Sequence, residues 1–107
     1  MPPKKLSNHA AHRALGRQHD KLARDLERLA RLEPGGAPAR PIEVVSPALV
    51  EVHVRGTPCP ICAGELRLED HLAETIGGLR LRVARVACAT CGRRRAIYFK
   101  VTSALPS

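Results

Sequence analysis

The sequence predicts a small α+β domain in which one N-terminal helix is followed by an antiparallel β-sheet. Hydrophobic residues recur at steps of three, four or seven in the first third of the chain, and at every second position in much of the remainder. A Pro/Gly-rich segment separates the two patterns. All four cysteines lie in two Cys-x-x-Cys pairs in the second part, where they can supply the cross-link that a 107-residue chain with few large apolar side chains needs.

The first pattern predicts an amphipathic basic helix over residues 8–33, preceded by Pro/Lys-rich residues 1–7 that we expect to be flexible. One face of the helix is apolar and carries Ala11, Leu15, Leu22, Leu26 and Leu29. The remaining surface is basic and carries Lys21, Arg24, Arg28 and Arg31. Pro and Gly at positions 34–36 end the helix, because neither residue type extends a helix well.

Residues 34–41, PGGAPARP, form a predicted linker, and residues 42–107 form a predicted second domain built from strands. Alternating apolar residues predict strands over residues 50–54, 65–69, 79–88 and 95–101. Residues 69–78 are predicted to form a loop or short helix that ends in a Gly-Gly turn. Arg85 interrupts the alternation of the third strand and indicates a β-bulge there. Each Cys-x-x-Cys pair would then lie at the end of a β-hairpin.

The cysteines form a C-x2-C-x25-C-x2-C pattern and are Cys59, Cys62, Cys88 and Cys91. Zn²⁺ takes four tetrahedral ligands, and a two-residue spacer lets one tight turn present two thiolates to the same ion. Gly64 and Gly92 follow the two pairs, and we expect them to supply a positive φ for these turns. With four protein ligands and no open position, the ion would be structural rather than catalytic.

These motifs, CPIC and CATCG with alternating strands around them, resemble a zinc ribbon, and the resemblance covers about residues 49–102. It implies two knuckles that grip one ion and antiparallel strands that form a small sheet. The resemblance fixes no function, because zinc ribbons serve in transcription, translation and many protein contacts.

Other cysteine chemistries fit the sequence less well. A haem anchor would place His after the second cysteine of a pair, where this chain has Ala63 and Gly92. A redox dithiol at CPIC would lack a βαβ setting and would leave the second pair unexplained. Two disulfides would need an oxidising compartment that no feature of the sequence indicates.

The sequence also resembles HNH endonucleases, through the order CPIC, DH, GG and CATCGRRR. In that family cysteine pairs flank a ββα site, and Asp70 and His71 would match its acid–base pair. However, the sequence has no Asn or His after His71 to supply the later polar ligands, and residues 79–88 favour a strand over a helix. We therefore expect Asp70 and His71 to be polar loop residues and the protein to be no enzyme, with a degenerate relative of the nucleases as an alternative.

A formal net charge of +8 favours a polyanionic partner, DNA or RNA, although basic charge also serves solubility. The residues predicted to contact phosphate are Arg80, Arg82, Arg93, Arg94 and Arg95. The alternative for the last three is that they offset the −2 charge of a zinc ion with four thiolates. A basic zinc ribbon that binds nucleic acid or a nucleoprotein complex is the function that we predict.

A protein-interaction adaptor is the alternative function. The apolar helix face within residues 11–29 would then dock on a partner or on a second helix, unless it packs back on the ribbon. We expect a cytoplasmic protein without membrane or small-molecule partners. No apolar run approaches the ~18 residues of a membrane span, and residues 1–16 lack the apolar core of a signal peptide.

Overall fold

The computed structural model describes residues 8–102, so the predicted flexible segment 1–7 lies outside the described residues. The elements in chain order are α1 (Asn8–Leu32), β1 (Ile42–Val44), α2 (Ala48–Arg55), β2 (Leu66–Ile76), β3 (Leu79–Cys88) and β4 (Arg94–Val101). The predicted small α+β class with an N-terminal helix is confirmed.

The four strands form one mixed sheet in the order β1-β4-β3-β2. Strands β2, β3 and β4 are antiparallel neighbours, as predicted. Strand β1 pairs in parallel with β4, with Ile42 opposite Phe99 and Val44 opposite Val101. The prediction of a purely antiparallel sheet is therefore wrong, because a three-residue strand adds itself to the edge of β4.

The predicted strand over residues 50–54 is wrong, because these residues form the helix α2. Val50 and Val54 are fully buried whereas Val52 is 64% exposed. Val50 and Val54 are four residues apart, so they lie on one helix face as well as on one strand face. Packing of that pair against the sheet outweighs the β-propensity of valine.

The predicted loop over residues 69–78 is also wrong, since β2 continues through it to Ile76. The Gly-Gly turn is confirmed: Gly77 and Gly78 have φ values of 58° and 80°, and Ile76 pairs with Leu79. Positive φ at both central residues is the geometry of a type I′ hairpin. The pairing register shifts between Leu68 and Asp70 of β2, so the bulge lies in the strand opposite Arg85 rather than in β3.

The hydrophobic core lies between α2 and one face of the sheet. Its largest buried side chains are those of Val50, Val54, Leu66, Val86 and Phe99. Cys59 and Cys88 belong to the same cluster, so the cysteine site is continuous with the core.

Residues 34–41 form turns that are held against β4. The Tyr98 N–H donates to the carbonyl oxygen of Gly35 at 2.9 Å, and Gly35 is itself buried. A Cβ on Gly36 would overlap the Ala30 oxygen, so this turn packs directly on the end of α1. The Pro/Gly segment thereby fixes the end of α1 beside the sheet.

Candidate metal centre

The first cysteine pair lies on a tight turn between α2 and β2. Its base is an isolated antiparallel bridge between Pro58 and Glu65. Within the turn, the Cys59 N–H donates to the Gly64 oxygen at 2.9 Å, and the Ala63 N–H donates to the Cys59 oxygen at 2.8 Å. We call residues 59–64 knuckle 1.

The second pair lies on the turn that joins β3 to β4, residues 88–93, which we call knuckle 2. The Cys88 N–H donates to the Arg93 oxygen at 2.9 Å, and the Gly92 N–H donates to the Cys88 oxygen at 3.0 Å. These bonds join the same relative positions as those of knuckle 1. The two Cys-x-x-Cys motifs therefore adopt one local structure twice.

The residue after the second cysteine of each pair has a left-handed backbone, with φ of 61° at Ala63 and 75° at Gly92. The prediction for Gly92 is confirmed, but the one for Gly64 is wrong, because the positive φ of knuckle 1 falls on Ala63. Gly64 meets a different requirement, which is space. A Cβ there would lie 2.6 Å from Thr90 Oγ1 and 3.0 Å from Cys88 Sγ.

The two knuckles bring four Sγ atoms within 4.8 Å of one another, from Cys59, Cys62, Cys88 and Cys91. The Cys59 and Cys91 sulfurs are 3.8 Å apart, and those of Cys62 and Cys88 are 3.3 Å apart. A tetrahedron of thiolates at about 2.3 Å from its centre has edges of about 3.8 Å. All four are free thiols, and the cluster can coordinate one metal ion.

Backbone N–H groups also point at the sulfurs. Thr90 and Cys91 donate to Cys88 Sγ, and Gly64 donates to Cys62 Sγ, each at 3.4 Å. The bond from Cys91 is the main reason that the pKa of the Cys88 thiol falls to about 6. Hydrogen bonding to Cys88 raises the pKa of Cys62 to about 12. Binding of a metal ion by these sulfurs would require the thiols to release their protons.

Two of the four cysteines are buried in the protein and two are exposed to solvent. Cys59 and Cys88 are buried in the core cluster, whereas Cys62 and Cys91 are exposed. The first cysteine of each pair thus connects the cluster to the sheet and to α2. The second cysteine of each pair faces solvent.

The predicted phosphate-binding arginines form two separate groups. Arg80 and Arg82 lie on β3 toward the Gly-Gly turn, where Arg82 pairs with Phe99. Arg95 of β4 pairs with Val86 of β3. Val86 is four residues nearer to knuckle 2 than Arg82 is, and four strand residues span roughly 13 Å. Arg93, Arg94 and Arg95 therefore lie beside the cysteines, whereas Arg80 and Arg82 do not.

The three arginines beside knuckle 2 differ in environment. Arg93 is exposed, and Arg94 forms a 3.1 Å ion pair with Glu69, the residue at the bulge of β2. Arg95 is half-buried, and its Nε is buried without a hydrogen-bond partner among the described residues. It lines a cavity of about 480 Å³ that lies between the end of α1, knuckle 1 and the sheet.

Asp70 and His71 are strand residues of β2 rather than loop residues, which corrects the prediction. Asp70 is opposite Arg85 and His71 is opposite Ala84, so the two side chains lie on opposite faces of the sheet. Burial, followed by the nearby charge of Arg82, lowers the pKa of His71. Residues 79–88, where a ββα site would have a helix, form the strand β3.

Sequence analysis did not find Thr90 or the N–H donors to sulfur. Thr90 is an ordinary spacer residue in CATC, and only the approach of knuckle 1 gives it a role. The donors differ between the knuckles: those of knuckle 2 point at the first sulfur of its pair, Cys88 Sγ, whereas that of knuckle 1 points at the second, Cys62 Sγ.

No protein-family model matches this chain, and neither do any curated proteins or solved structures. Among residues 8–102, no helix is long and apolar enough to cross a membrane.

Proposed function

We propose that this protein is a non-enzymatic zinc-ribbon module that holds one structural Zn²⁺ and associates with nucleic acid, or with a nucleoprotein complex, through a basic surface. The convergence of four Sγ atoms within 4.8 Å is the observation that carries the proposal. Thiolates are the preferred ligands of structural zinc, and four of them leave no position for substrate. In this account the ion fastens knuckle 1 to knuckle 2.

Exposed arginines support the nucleic-acid part of the proposal. Arg93 and Arg94 are exposed and follow Cys91 closely in the chain. A second group of six exposed cations lies on α1 and comprises Arg13, Arg17, Lys21, Arg24, Arg28 and Arg31. Among the described residues, the one ion pair in this group joins Arg28 to Asp25 at 3.9 Å, so most of its charge is available to phosphates.

Binding to labelled single-stranded and duplex DNA and RNA tests this part of the proposal. We expect the affinity, measured by fluorescence anisotropy, to fall at least tenfold between about 50 mM and 200 mM salt. Two double variants remove the same charge from different surfaces. Arg93→Gln with Arg94→Gln removes the knuckle pair, and Arg55→Gln with Arg67→Gln is the control at the contact of α2 with β2.

The two variants are matched, because each removes one arginine that is ion-paired, Arg94 to Glu69 and Arg55 to Glu51. We expect the knuckle variant to weaken binding at least about fivefold and the control less than twofold. Equal losses in the two variants would indicate binding by net charge alone. No measurable binding at low salt would refute the nucleic-acid part and leave the metal part standing.

A further inference from the structure

The apolar face of α1 is uncovered. We call Leu15, Leu22, Leu26 and Leu29 the leucine stripe. Leu15, Leu22 and Leu29 are 51%, 57% and 59% exposed, and Leu26 is half-buried. Leu15, Leu22 and Leu29 therefore keep about half or more of their surface uncovered, and only the C-terminal end of the stripe lies near the ribbon. A row of exposed leucines along one helix marks an interaction surface.

The stripe has the spacing of a coiled-coil seam. Leu15, Leu22 and Leu29 are seven residues apart, and Leu26 follows Leu22 by four; the equivalent positions after Leu15 and Leu29 are His19 and Glu33. The residue after each of the three heptad leucines is small: Gly16, Ala23 and Ala30. Ala23 and Ala30 are buried, whereas Gly16 is exposed, so Gly16 is the small residue at which another helix backbone can approach closely. The geometry fits a second helix with the same repeat.

We propose that a second copy of this chain covers the leucine stripe, with the two α1 helices packed antiparallel in a symmetric dimer. The same surface then serves both partners, which is the usual arrangement of a two-fold homodimer. This proposal is independent of the proposed nucleic-acid binding and requires no nucleic acid.

Charge placement favours a second copy over a different, acidic partner. Gln18 and Asp25 flank the stripe on one side, and His19 and the small residues flank it on the other. All six cations of α1 lie elsewhere, centred on the opposite side of the helix, so none is placed to select an acidic helix at the seam. Two copies can meet along the stripe without bringing their arginines together.

The cavity at the end of α1 favours the antiparallel arrangement. Leu26 and Leu29 line it together with Ile42, Pro58, Pro60 and Leu66. The stripe thus continues into this cavity, whose wall is mostly apolar and also carries Glu33, His53 and Arg95. In an antiparallel pair, Leu15 of the partner subunit reaches this end and can cover the cavity. A parallel pair would bring both sheets to the same end, where Pro58 and Pro60 already bound the space beside Leu29.

The paired segment, residues 15–32, is about 27 Å long. Two such segments bury an area at the lower limit of specific interfaces, so we expect a dissociation constant on the order of micromolar. Sedimentation equilibrium of the full-length, metal-loaded protein measures it. We expect a monomer–dimer equilibrium in the absence of nucleic acid.

Leu22→Glu should raise the dimer dissociation constant at least about thirtyfold, because Leu22 is the central residue of the stripe. Arg24→Glu introduces the same carboxylate two residues away, on the opposite side of α1, and should change the constant less than about twofold. Leu22→Ala keeps high helix propensity and should still weaken the dimer at least tenfold. Circular dichroism monitors whether each variant keeps the helix.

Orientation is tested by Leu15→Glu combined with Leu29→Lys. In an antiparallel dimer each new carboxylate lies near a new ammonium group of the partner subunit, so the double variant should associate more tightly than either single variant. In a parallel dimer the double variant would place like charges opposite each other and would associate more weakly than either single variant. That result would contradict the antiparallel arrangement. A monomer at every concentration, or dimers unaffected by Leu22→Glu, would overturn the proposal.

Discussion

Gly64 of knuckle 1 lies directly against Thr90 of knuckle 2, where a Cβ on the glycine would approach Thr90 Oγ1 to 2.6 Å and Thr90 Cβ to 2.8 Å. The two knuckles therefore touch through backbone as well as through sulfur. A side chain at Gly64 would push them apart at the point where four thiols converge. This contact predicts a mutation that acts on the site without changing any cysteine.

Gly64→Ala should lower the free energy of unfolding of the metal-loaded protein by about 1–3 kcal/mol, the usual cost of overpacking. Urea denaturation measures the change. Thr90→Gly removes both close atoms, so the double variant should recover part of the loss. Additive losses in the two single variants would contradict the proposed contact.

The equivalent residues Ala63 and Gly92 should respond in opposite directions. Both have positive φ, which costs an alanine roughly 1–2 kcal/mol and costs a glycine nothing. Gly92→Ala should therefore destabilise the protein by about 1 kcal/mol, although the space around Gly92 is open. Ala63→Gly should be neutral or stabilise by up to about 1 kcal/mol. Changes of the same sign, measured by urea denaturation, would contradict this local equivalence.

Local patterns predicted those parts of the fold that depend on nearby residues. The seven-residue spacing predicts α1, the Gly77-Gly78 dipeptide predicts its hairpin turn, and Cys-x-x-Cys spacing predicts the sulfur cluster. The helix, the hairpin turn and each single knuckle are encoded within a few neighbouring residues or one repeat, whereas the cluster also needs the two knuckles to meet.

The predictions failed where distant contacts decide the structure. Val50 and Val54 share one face in a strand and in a helix alike, and packing on the sheet selects the helix α2. Strand β1 is three residues long and is defined by pairing with β4, 57 positions further along the chain. The second half of β2 is an edge strand with many polar residues, so it lacks the apolar alternation that would have predicted it.

Glu69→Gln should strengthen nucleic-acid binding. The substitution removes a negative charge and releases Arg94 from its 3.1 Å ion pair beside knuckle 2. We expect the affinity at low salt to rise about two- to threefold, with a steeper salt dependence. Glu43→Gln is the matched control, because it removes the same charge from the exposed β1 edge. A smaller or equal effect of Glu69→Gln, measured by fluorescence anisotropy, would argue against Arg94 as a phosphate contact.

Titration of His71 should report its burial and the proximity of Arg82. Both lower the pKa of His71 below the ordinary 6.5, burial being the larger cause. The folded state then binds this proton less readily than the unfolded chain. The contribution of His71 to stability is therefore present above pH 6.5 and is lost as pH falls through the lower folded-state pKa.

An NMR titration of the His71 ring measures this pKa directly. Arg82→Gln removes one of the two causes and should raise the pKa toward 6.5. Arg80→Gln is the control, two residues along β3 and opposite Thr75 rather than next to His71. An equal rise in both variants would show that general charge, and not the neighbouring guanidinium, acts on the ring.

The metal content of the protein tests the central claim most directly. Native mass spectrometry of the reduced protein, purified without added metal, should find one Zn²⁺ per chain. Removal of that ion by a chelator should abolish the amide protection of residues 59–64 and 88–93, because ligand binding and folding of such a site are coupled. A reduced, metal-free protein that keeps this protection would contradict the account.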